Sequence, residues 1–371
     1  MKILVAPDSF KGSLTSPQAA EIIKDAVSTV KTSAQFTLCP LADGGEGTTE
    51  AFTKALNGCF IKCEVHDPLM RKITASYGMC GDTAVIETAA ASGITLLKED
   101  ELNPLVTSTY GTGELIKHAA RNGAKRIIIG IGGSATNDGG TGCFRALGVS
   151  FKDKNSNELP EGGKALLDLS EIDVSGLDKS LSGIEILAAC DVTSPLCGEN
   201  GASRVFAKQK GASDNDIEIL ENALKKYSEI AEKTFKKDFS VIPGAGAAGG
   251  LAFALSLFLN AKLISGFKIL SDVLALEEKI KQADIVITGE GKTDNSSLLG
   301  KLPVSIAEIA KKHNKECFLL SGDITCEKEE LLKHFTHYRK ARLETDTLED
   351  AIKNAGERLY DAAKKTAEDL F

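Results

Sequence analysis

Short apolar runs alternate with amphipathic segments at the start of the chain. Residues 2–6 and 36–39 have the compact apolar pattern of buried strands. Between them, apolar side chains recur at helical spacing over residues 19–30, preceded by Ser16 as N-cap and Pro17 as first helical residue. The order of strand, loop, helix and strand predicts the beginning of a doubly wound parallel sheet.

The same rhythm returns only near the end of the chain. Residues 284–288 and 317–321 have the pattern of buried parallel strands, and residues 335–339 that of a final edge strand. The spacing of apolar residues predicts a helix over 303–312 and a long amphipathic helix over 348–370. We therefore expect the N-terminal and C-terminal strands to pair in one sheet.

The middle of the chain follows a different pattern. Residues 60–87 contain short β-like runs separated by turns, with no room for a crossover helix, which favours antiparallel pairing. This change predicts a discontinuous α/β domain formed by residues 1–62 and 282–371. Residues 63–281 are then an inserted second α/β domain.

Composition narrows the class of protein. The 371 residues suit two domains, and 42% hydrophobic residues suffice for a good core. A formal net charge of −8 makes nucleic acid an unsuitable partner. None of the nine cysteines forms a C-x-x-C pair, which excludes a thioredoxin-type motif and a zinc ribbon. The chain begins with a strand pattern rather than a signal peptide, and its longest apolar run is too short to span a bilayer, so a cytoplasmic location without membrane attachment is expected.

The most informative stretch is residues 127–142, which read IIIGIGGSATNDGGTG. A β-branched run typical of a buried parallel strand ends in glycines and a polar cluster. Glycines allow backbone N–H groups to approach an anion closely, and the hydroxyl, amide and carboxylate groups add further contacts. A ligand site is the first interpretation, and a tight structural turn is the second.

Other polar loops also follow predicted strands, and ligands of an open parallel sheet bind at the carboxyl ends of its strands. These loops are rich in carboxylates and hydroxyls and contain two lysines. Their polar residues are Asp8, Ser9, Lys11, Ser13, Asp43, Glu46, Asp191, Thr193, Ser194, Glu290, Lys292, Thr293, Asp294 and Asp323. The mixture suits Mg²⁺ on oxygen ligands, phosphates held by N–H groups and lysine, and a carboxylate base for a hydroxyl group.

Two glycine-rich motifs resemble dinucleotide fingerprints. Residues 130–135 fit G-x-G-x-x-A, but a polar loop follows instead of a helix. Residues 244–249 fit G-x-G-x-x-G, but the next strand candidate is poor, and close packing of a helix on a sheet explains these glycines equally well. Residues 291–293 end like a P-loop, but the first glycine of that motif would fall on Val286 inside a strand.

Six long loops together resemble those of the bacterial type-1 glycerate kinases, in order and over the whole chain. They are APDSFKGSLTS (6–16), PLADGGEGT (40–48), GGSATNDGGTG (132–142), CDVTSPLCG (190–198), GAGAAGG (244–250) and TGEGKTD (288–294). The resemblance implies ATP-dependent phosphorylation of D-glycerate, usually at the 2-hydroxyl group, with Mg²⁺. It also implies a flavodoxin-like parallel-sheet domain built from both chain ends, an inserted mixed-sheet α/β domain, and a site in the cleft.

The chemistry of phosphoryl transfer suggests roles for the loop residues. Asp191 or Asp294 is the predicted acceptor of the substrate hydroxyl proton, and Lys292 and Lys11 are predicted to offset charge. The predicted nucleotide-binding residues are Gly132, Gly133, Ser134, Thr136, Asn137, Gly139 and Gly140. The predicted ligands of Mg²⁺ are Asp43, Glu46 and Asp138.

The substrate carboxylate also needs partners. Arg71 could bind it with two hydrogen bonds, although residues 67–71 could equally form only a turn between strands. Ser9 and Ser13 are the predicted hydroxyl contacts to glycerate. Two other functions stay open: an NAD(P)-dependent hydroxy-acid oxidoreductase, and a non-catalytic protein that binds a small anion. The oligomeric state is not predicted.

Overall fold

The computed structural model describes residues 1–41, 48–299 and 301–371, which fold as two compact units. The first unit contains residues 1–41, Glu50–Leu56 and Phe267–Phe371, and the second contains residues 48–49 and Asn57–Gly266.

The strands, in chain order, are β1 (Lys2–Val5), β2 (Gln35–Leu38), β3 (Cys59–His66), β4 (Lys72–Cys80), β5 (Thr83–Glu87), β6 (Arg126–Gly130), β7 (Ser150–Lys152), β8 (Glu171–Asp173), β9 (Glu185–Ala189), β10 (Lys262–Ile264), β11 (Ile285–Thr293), β12 (Glu316–Ile324) and β13 (His337–Lys340). The α-helices are α1 (Ser16–Val30), α2 (Thr48–Ala55), α3 (Ala89–Ser92), α4 (Tyr110–Arg121), α5 (Thr141–Ala146), α6 (Ala202–Phe206), α7 (Asp214–Phe235), α8 (Leu251–Leu259), α9 (Gly266–Val273), α10 (Leu276–Gln282), α11 (Leu302–Lys312), α12 (Lys328–Leu331), α13 (Leu348–Lys353) and α14 (Ala355–Leu370).

The first unit is built on a parallel sheet with the strand order β2-β1-β11-β12-β13. Numbered within the unit, this is the flavodoxin-like order 2-1-3-4-5, which confirms the predicted fold class. The order reverses between β1 and β11, so ligands are expected beside the carboxyl ends of these two strands. Pairing of β1 with β11 also shows that both ends of the chain share one sheet.

Helices α1 and α14 cover the first sheet. Ile23 on α1 and Leu359 on α14 are fully buried in the same apolar cluster as Val5, Ile287 and Phe318. Thr15 caps α1 because its hydroxyl accepts from the backbone N–H of Gln18, and Pro17 lies in the first turn. The predicted N-cap, Ser16, is instead the first helical residue, and its hydroxyl donates to the carbonyl of Pro7.

The second unit contains a mixed sheet with the strand order β10-β9-β6-β5-β4-β3. Strands β3, β4 and β5 pair antiparallel, as the pattern of residues 60–87 predicts, and β5, β6, β9 and β10 pair in parallel. The carboxyl ends of the parallel strands therefore bring the segments after β6 and β9 to one edge.

Two boundaries differ from those predicted. Residues 59–62 belong to β3, which pairs along its whole length with β4 of the second sheet. Residues 267–281 group with the first unit, where α10 packs against β1 and α11.

Strand β11 is longer than its apolar core suggests. Residues 289–293, predicted as a loop, continue the ladder with β12 as far as Thr293 opposite Ile324. Gly289 fits here because a Cβ atom would lie 2.1 Å from the carbonyl oxygen of Leu320. Asp323, also predicted in a loop, therefore lies within β12, where it is paired with Arg342 at 2.9 Å.

Candidate active site

The first part of the glycine-rich loop after β6 is open to solvent. Gly132 and Gly133 are exposed, and Gly133 has φ of +68°, a conformation that favours glycine. Within the described part of the chain their backbone N–H groups donate no hydrogen bond. Two free N–H groups at the carboxyl end of a parallel strand are suited to hold an anion.

The second part of the loop is organised around Asp138, which is fully buried. Its Oδ2 atom accepts hydrogen bonds from Thr109 N at 2.9 Å, Thr109 Oγ1 at 2.7 Å and Gly142 N at 3.1 Å. Its Oδ1 atom accepts from Gly140 N at 3.0 Å. Burial raises the pKa of Asp138, and the four donors act in the opposite direction.

Asp138 therefore organises the loop, and the structure argues against its predicted role as a Mg²⁺ ligand. A buried carboxylate that already accepts four hydrogen bonds is a poor ligand for a cation that prefers to keep several waters.

Gly139 and Gly140 face the core of the second unit. Their φ angles are +65° and +79°. A Cβ atom on Gly139 would lie 2.8 Å from the ring of Tyr227, and one on Gly140 would lie 2.7 Å from the Cβ atom of Ala254. The structure thus explains these glycines by backbone conformation and packing, which argues against their predicted contact with a nucleotide.

Thr136 and Asn137 connect the two parts of the loop and are fully buried. The Asn137 side-chain amide donates to Ser203 Oγ at 3.0 Å. The Thr136 hydroxyl and the Asn137 amide oxygen have no hydrogen-bond partner among the described residues. The structure therefore places these two side chains in the interior rather than on the surface, where a nucleotide would bind.

The second glycine-rich loop, residues 244–250, supports the first one. The carbonyl of Gly249 accepts from the N–H of Gly139 at 2.9 Å. A Cβ atom on Gly249 would lie 2.1 Å from the carbonyl oxygen of Thr136. Close packing of backbone on backbone therefore accounts for this glycine, in line with the structural interpretation of the motif.

Lys210 is a residue to which the sequence pattern gives no role. Its side chain is buried, and Nζ donates to Ser134 Oγ at 3.0 Å and to the carbonyl of Thr136 at 2.7 Å. Burial lowers the pKa of Lys210 to about 7. The surrounding sequence KQK resembles a solvated surface, and the small residues Ala207 and Gly211 beside it give only a weak signal of burial.

Asp191 follows β9, the strand next to β6 in the sheet. The residue is exposed, and its two carboxylate oxygens lie 3.2 and 3.4 Å from the backbone N–H of Gly266. Because Ala189 pairs with Gly130, the segments that contain Asp191 and Gly132 leave adjacent strands at the same edge. An accessible carboxylate beside an anion site can act as a base.

The first unit has its own polar group where the strand order reverses. The segment after β1 lies along β11, with the N–H of Asp8 donating to the carbonyl of Gly289 at 2.8 Å. Gly291 allows this approach because a Cβ atom there would lie 3.1 Å from the backbone N of Lys11. Lys11 and Lys292 are both exposed at this edge.

The two predicted serine contacts lie in the same segment after β1. Ser9 is partly buried, and its N–H donates to Asp8 Oδ1 at 2.6 Å. Ser13 is exposed, and its hydroxyl donates to the carbonyl of Phe10 at 2.8 Å.

Asp294 directly follows β11 and forms a local turn. Its Oδ1 atom accepts from Ser296 N at 2.9 Å, Ser296 Oγ at 2.6 Å and Ser297 N at 3.2 Å. The hydrogen bond from the Ser296 hydroxyl lowers the pKa of Asp294. A carboxylate held in its ionised form by three donors is a poor acceptor for a substrate proton.

Glu290 is a second buried charged residue. The sequence pattern places it in a polar loop but assigns it no specific role. Its Oε1 atom accepts from the Thr293 hydroxyl at 2.9 Å, and Thr293 Oγ1 lies 2.9 Å from Ser321 Oγ. Burial raises the pKa of Glu290. This cluster joins β11 to β12 at the end of the sheet.

Arg71 is committed to two carboxylates. Its Nε donates to Asp67 Oδ2 at 2.5 Å, and its Nη1 donates to Glu101 Oε1 at 2.7 Å. Asp67 also accepts from the N–H of Leu69, and Met70 has φ of +62°, so residues 67–71 form a tight turn. The structure favours the turn interpretation over the predicted clamp on a substrate carboxylate.

Comparison with known proteins decides the family. The model of the glycerate kinase family matches residues 3–370. The chain belongs to the glycerate kinase family. It is 49% identical over 327 residues to glycerate 2-kinase of Escherichia coli strain K12, covering 88% of this chain and 86% of that one. It is 42% identical over 373 residues to glycerate kinase of Bacillus subtilis strain 168, covering 100% and 97%.

The fold agrees with this family. A crystal structure of a glycerate kinase 2 from Salmonella typhimurium LT2 superposes with a TM-score of 0.92, at 43% identity, and covers 100% of this chain and 98% of that one. The resemblance inferred from the six loops is thus confirmed, as is the enzyme class of a glycerate kinase. The oxidoreductase and the non-catalytic anion-binding alternatives receive no support from these relatives.

The predicted Mg²⁺ ligands Asp43 and Glu46 lie outside the described residues. Among residues 1–41, 48–299 and 301–371, no three His, Cys, Asp or Glu side chains come close enough to hold a metal ion. In the same part of the chain, no helix is both long and apolar enough to cross a membrane.

Proposed function

We propose that this member of the glycerate kinase family transfers the γ-phosphoryl group of ATP to the 2-hydroxyl group of D-glycerate. The observation that carries the proposal is the pair of exposed N–H groups at Gly132 and Gly133, which have no partner among the described residues and lie beside the strand that leads to Asp191. In a chain of this family, they offer an anion site next to a base.

The glycine N–H groups would bind phosphate oxygens. Fixed backbone donors in a loop stabilise negative charge without reorganising during the reaction. The buried part of the loop keeps them in place, because Asp138 and Lys210 fix its two ends. Gly132 and Gly133 therefore remain the nucleotide-binding candidates, and Ser134 supports them through its bond with Lys210.

Asp191 is the preferred base. The 2-hydroxyl group of glycerate would give its proton to the Asp191 carboxylate while its oxygen bonds to the γ-phosphorus. The bond between that phosphorus and the bridging oxygen breaks at the same time, and ADP leaves with the electron pair. Asp294 is less suitable because three hydrogen bonds already stabilise its ionised form.

The charge on the phosphates and on glycerate needs cations. Lys11 and Lys292 remain the proposed side chains for this role, and Ser9 and Ser13 the proposed contacts to glycerate. We keep Asp43 and Glu46 as proposed ligands of Mg²⁺, which commonly binds proteins through one or two carboxylates and substrate phosphates. When bound, Mg²⁺ would offset the charge on the β- and γ-phosphates.

The proposed location is the cytoplasm. The nine cysteines are all free, with no disulfide between them, and ATP is the co-substrate of a kinase.

Release of ADP by the wild-type enzyme tests the proposed reaction. With ATP and Mg²⁺, D-glycerate should give rapid ADP release, and D-lactate, which keeps the 2-hydroxyl group but lacks the 3-hydroxyl group, should be a slower substrate. The isomer 3-hydroxypropanoate lacks the 2-hydroxyl group and should give only background release. Rapid turnover of 3-hydroxypropanoate with none of D-lactate would contradict transfer to the 2-hydroxyl group.

A further inference from the structure

The buried ammonium group of Lys210 is not explained by the needs of the fold. Lys210 is 2% exposed and ends the short helical turn Lys208–Lys210 after α6. Two of its three N–H groups are used, on Ser134 Oγ and on the carbonyl of Thr136. Within the described part of the chain, the third finds no acceptor.

A charge in this position is costly for folding. Buried charges are normally paired with an opposite charge, but both acceptors of Lys210 are neutral oxygens. Asp138 attracts the ammonium group from the same loop, yet its own oxygens already accept four other hydrogen bonds. An uncharged side chain of similar length would fill this space at a lower cost.

The segment that carries Lys210 holds the glycine loop at two points. Ser203 on α6 accepts from the Asn137 amide, and Lys210 binds the two neighbouring residues Ser134 and Thr136. Ser134 directly follows Gly133, whose N–H is exposed and unpaired among the described residues. The ammonium group thus binds the side chain of the residue that directly follows the two glycines of the proposed phosphate site.

We propose that Lys210 is a positioning residue that supplies buried positive charge at the end of the Gly132–Gly133 phosphate site. Its hydrogen bonds fix Ser134 and Thr136, so that the preceding N–H groups stay turned outward. In the free protein, few negative groups offset the charge of the ammonium group. A phosphate group bound to the Gly132 and Gly133 N–H groups would offset this charge. The inference rests on the proposed function, because it takes phosphate as the ligand of these glycines.

Burial gives this arrangement a measurable consequence. Since the pKa of Lys210 is lowered to about 7, part of the free enzyme carries a neutral amine near neutral pH. A bound anion favours the protonated form, so binding should take up a proton, most clearly near pH 8. Asp138 acts on the ammonium group from the loop itself. The short turn itself also carries Lys208, and α6, which packs against it, carries Arg204. Helix α7, which packs on α6, carries Asp214, Asp216, Glu218 and Glu221 in its first half.

Calorimetric titration with ATP and Mg²⁺ at pH 8, without glycerate, tests the inference. Titrations in two buffers of different ionisation enthalpy give the number of protons taken up. We expect the wild-type enzyme to bind at most about one additional proton per ATP. Lys210→Met should lose this proton uptake and should bind ATP at least about tenfold more weakly. Lys210→Arg, which keeps the charge, should retain more affinity than Lys210→Met.

Lys208→Met is the matched control. Lys208 lies in the same short turn, but its side chain is exposed, and among the described residues its one ion pair is a long contact with Asp214 at 3.5 Å. This variant should behave as wild type in both measurements. Folded Lys210→Met with wild-type affinity and proton uptake would overturn the inference.

The wild-type titration keeps the test decisive if Lys210→Met does not fold. ATP binding by wild type without proton uptake between pH 7 and 8 would by itself contradict the inference. The failure of the proposed function is a separate result: wild type would then bind ATP but release no ADP with glycerate.

Discussion

The loop after β6 shows at the residue scale how one motif serves two purposes. Gly132 and Gly133 are exposed and leave their N–H groups free within the described chain, whereas Gly139 and Gly140 face the core. The same residue type therefore provides an anion site at one end of the loop and close packing at the other. Asp138 lies between the two parts and accepts hydrogen bonds from the backbone of Gly140, Gly142 and the distant Thr109.

Replacement of Gly140 by alanine measures the packing part. The φ angle of +79° costs an alanine about 1–2 kcal/mol, and a Cβ atom 2.7 Å from that of Ala254 should add about 1–3 kcal/mol of overpacking. Gly183→Ala is the matched control, because φ there is +80° and no atom lies within 4 Å of the added Cβ. Urea denaturation should show a larger loss of stability for Gly140→Ala, and equal losses would refute the packing explanation.

Replacement of the two candidate bases separates their roles. Asp191→Asn should lower kcat about 10²- to 10⁴-fold, the usual contribution of a positioned base. Asp294→Asn should have a far smaller effect on kcat, because Asp294 serves its own turn through Ser296 and Ser297. The measurement is steady-state ADP release by variants whose circular dichroism matches wild type. A large loss of kcat in Asp294→Asn alone would reverse the assignment.

Sequence reasoning at this scale identified the loop but not the environment of each side chain. The pattern of residues 127–142 predicts a strand and an anion loop, and both follow from glycine and β-branched residues. It could not distinguish exposed from buried glycines, because that depends on contacts with Tyr227 and Ala254 far along the chain. Lys210 was missed for the same reason, since its burial is not visible in the local sequence.

At the element scale, apolar periodicity gave the correct type for the regular segments of both units. The parallel strands 284–288 and 317–321 and the helix 303–312 were all predicted near their observed positions. The extension of β11 through residues 289–293 was missed because Gly and Lys are poor strand formers. Pairing with β12 overrides this preference, and it moves Lys292 from a loop onto a strand.

The contact between α10 and α11 makes an element-scale prediction about pH. Hydrogen bonds from Lys312 and His313 lower the pKa of Glu277 from its ordinary value of 4.5 to about 2. Because the folded-state pKa is depressed, this pair stabilises the fold above pH 4.5, and the stabilisation is lost as pH falls toward 2. Glu277→Gln should therefore have a lower Tm than wild type at pH 7, measured by thermal unfolding. This difference in Tm should shrink as the pH falls from 4.5 to 2.

Glu278→Gln is the control for this effect. Glu278 lies on the same helix and pairs with Lys281 three residues on, an exposed contact within one helix. Its Tm should stay within a degree or two of wild type across this pH range. A pH-independent Tm difference between Glu277→Gln and wild type would show that the Glu277 contact acts by packing alone.

At the scale of the whole molecule, the chain ends form one sheet and the middle forms another. Strand β1 pairs with β11 across more than half of the sequence, and α1 packs on α14. The rhythm of strands and helices predicted this arrangement, because parallel strands recur only at the two ends. The exact limits could not be predicted, since residues 57–62 and 267–281 are assigned by long-range pairing and packing rather than by composition.

Family membership and site chemistry together support phosphoryl transfer from ATP to the 2-hydroxyl group of D-glycerate. Residues 3–370 match the glycerate kinase family. At the carboxyl ends of parallel strands, the described loops present exposed N–H groups without a partner among the described residues, an accessible carboxylate and exposed lysines. The loop residues do not by themselves select the hydroxyl group that receives the phosphate, because the 2- and 3-hydroxyl groups differ only in position on the same small substrate.

Proton-coupled ³¹P NMR of the product formed from D-glycerate, ATP and Mg²⁺ tests this claim most directly. Phosphate on the 2-oxygen is bonded to a carbon with one hydrogen, so the product signal should be a doublet. Phosphate on the 3-oxygen is bonded to a carbon with two hydrogens and would give a triplet. A doublet that grows with the ADP signals is the expected result, and a triplet, or no new phosphate ester at all, would contradict the proposed reaction.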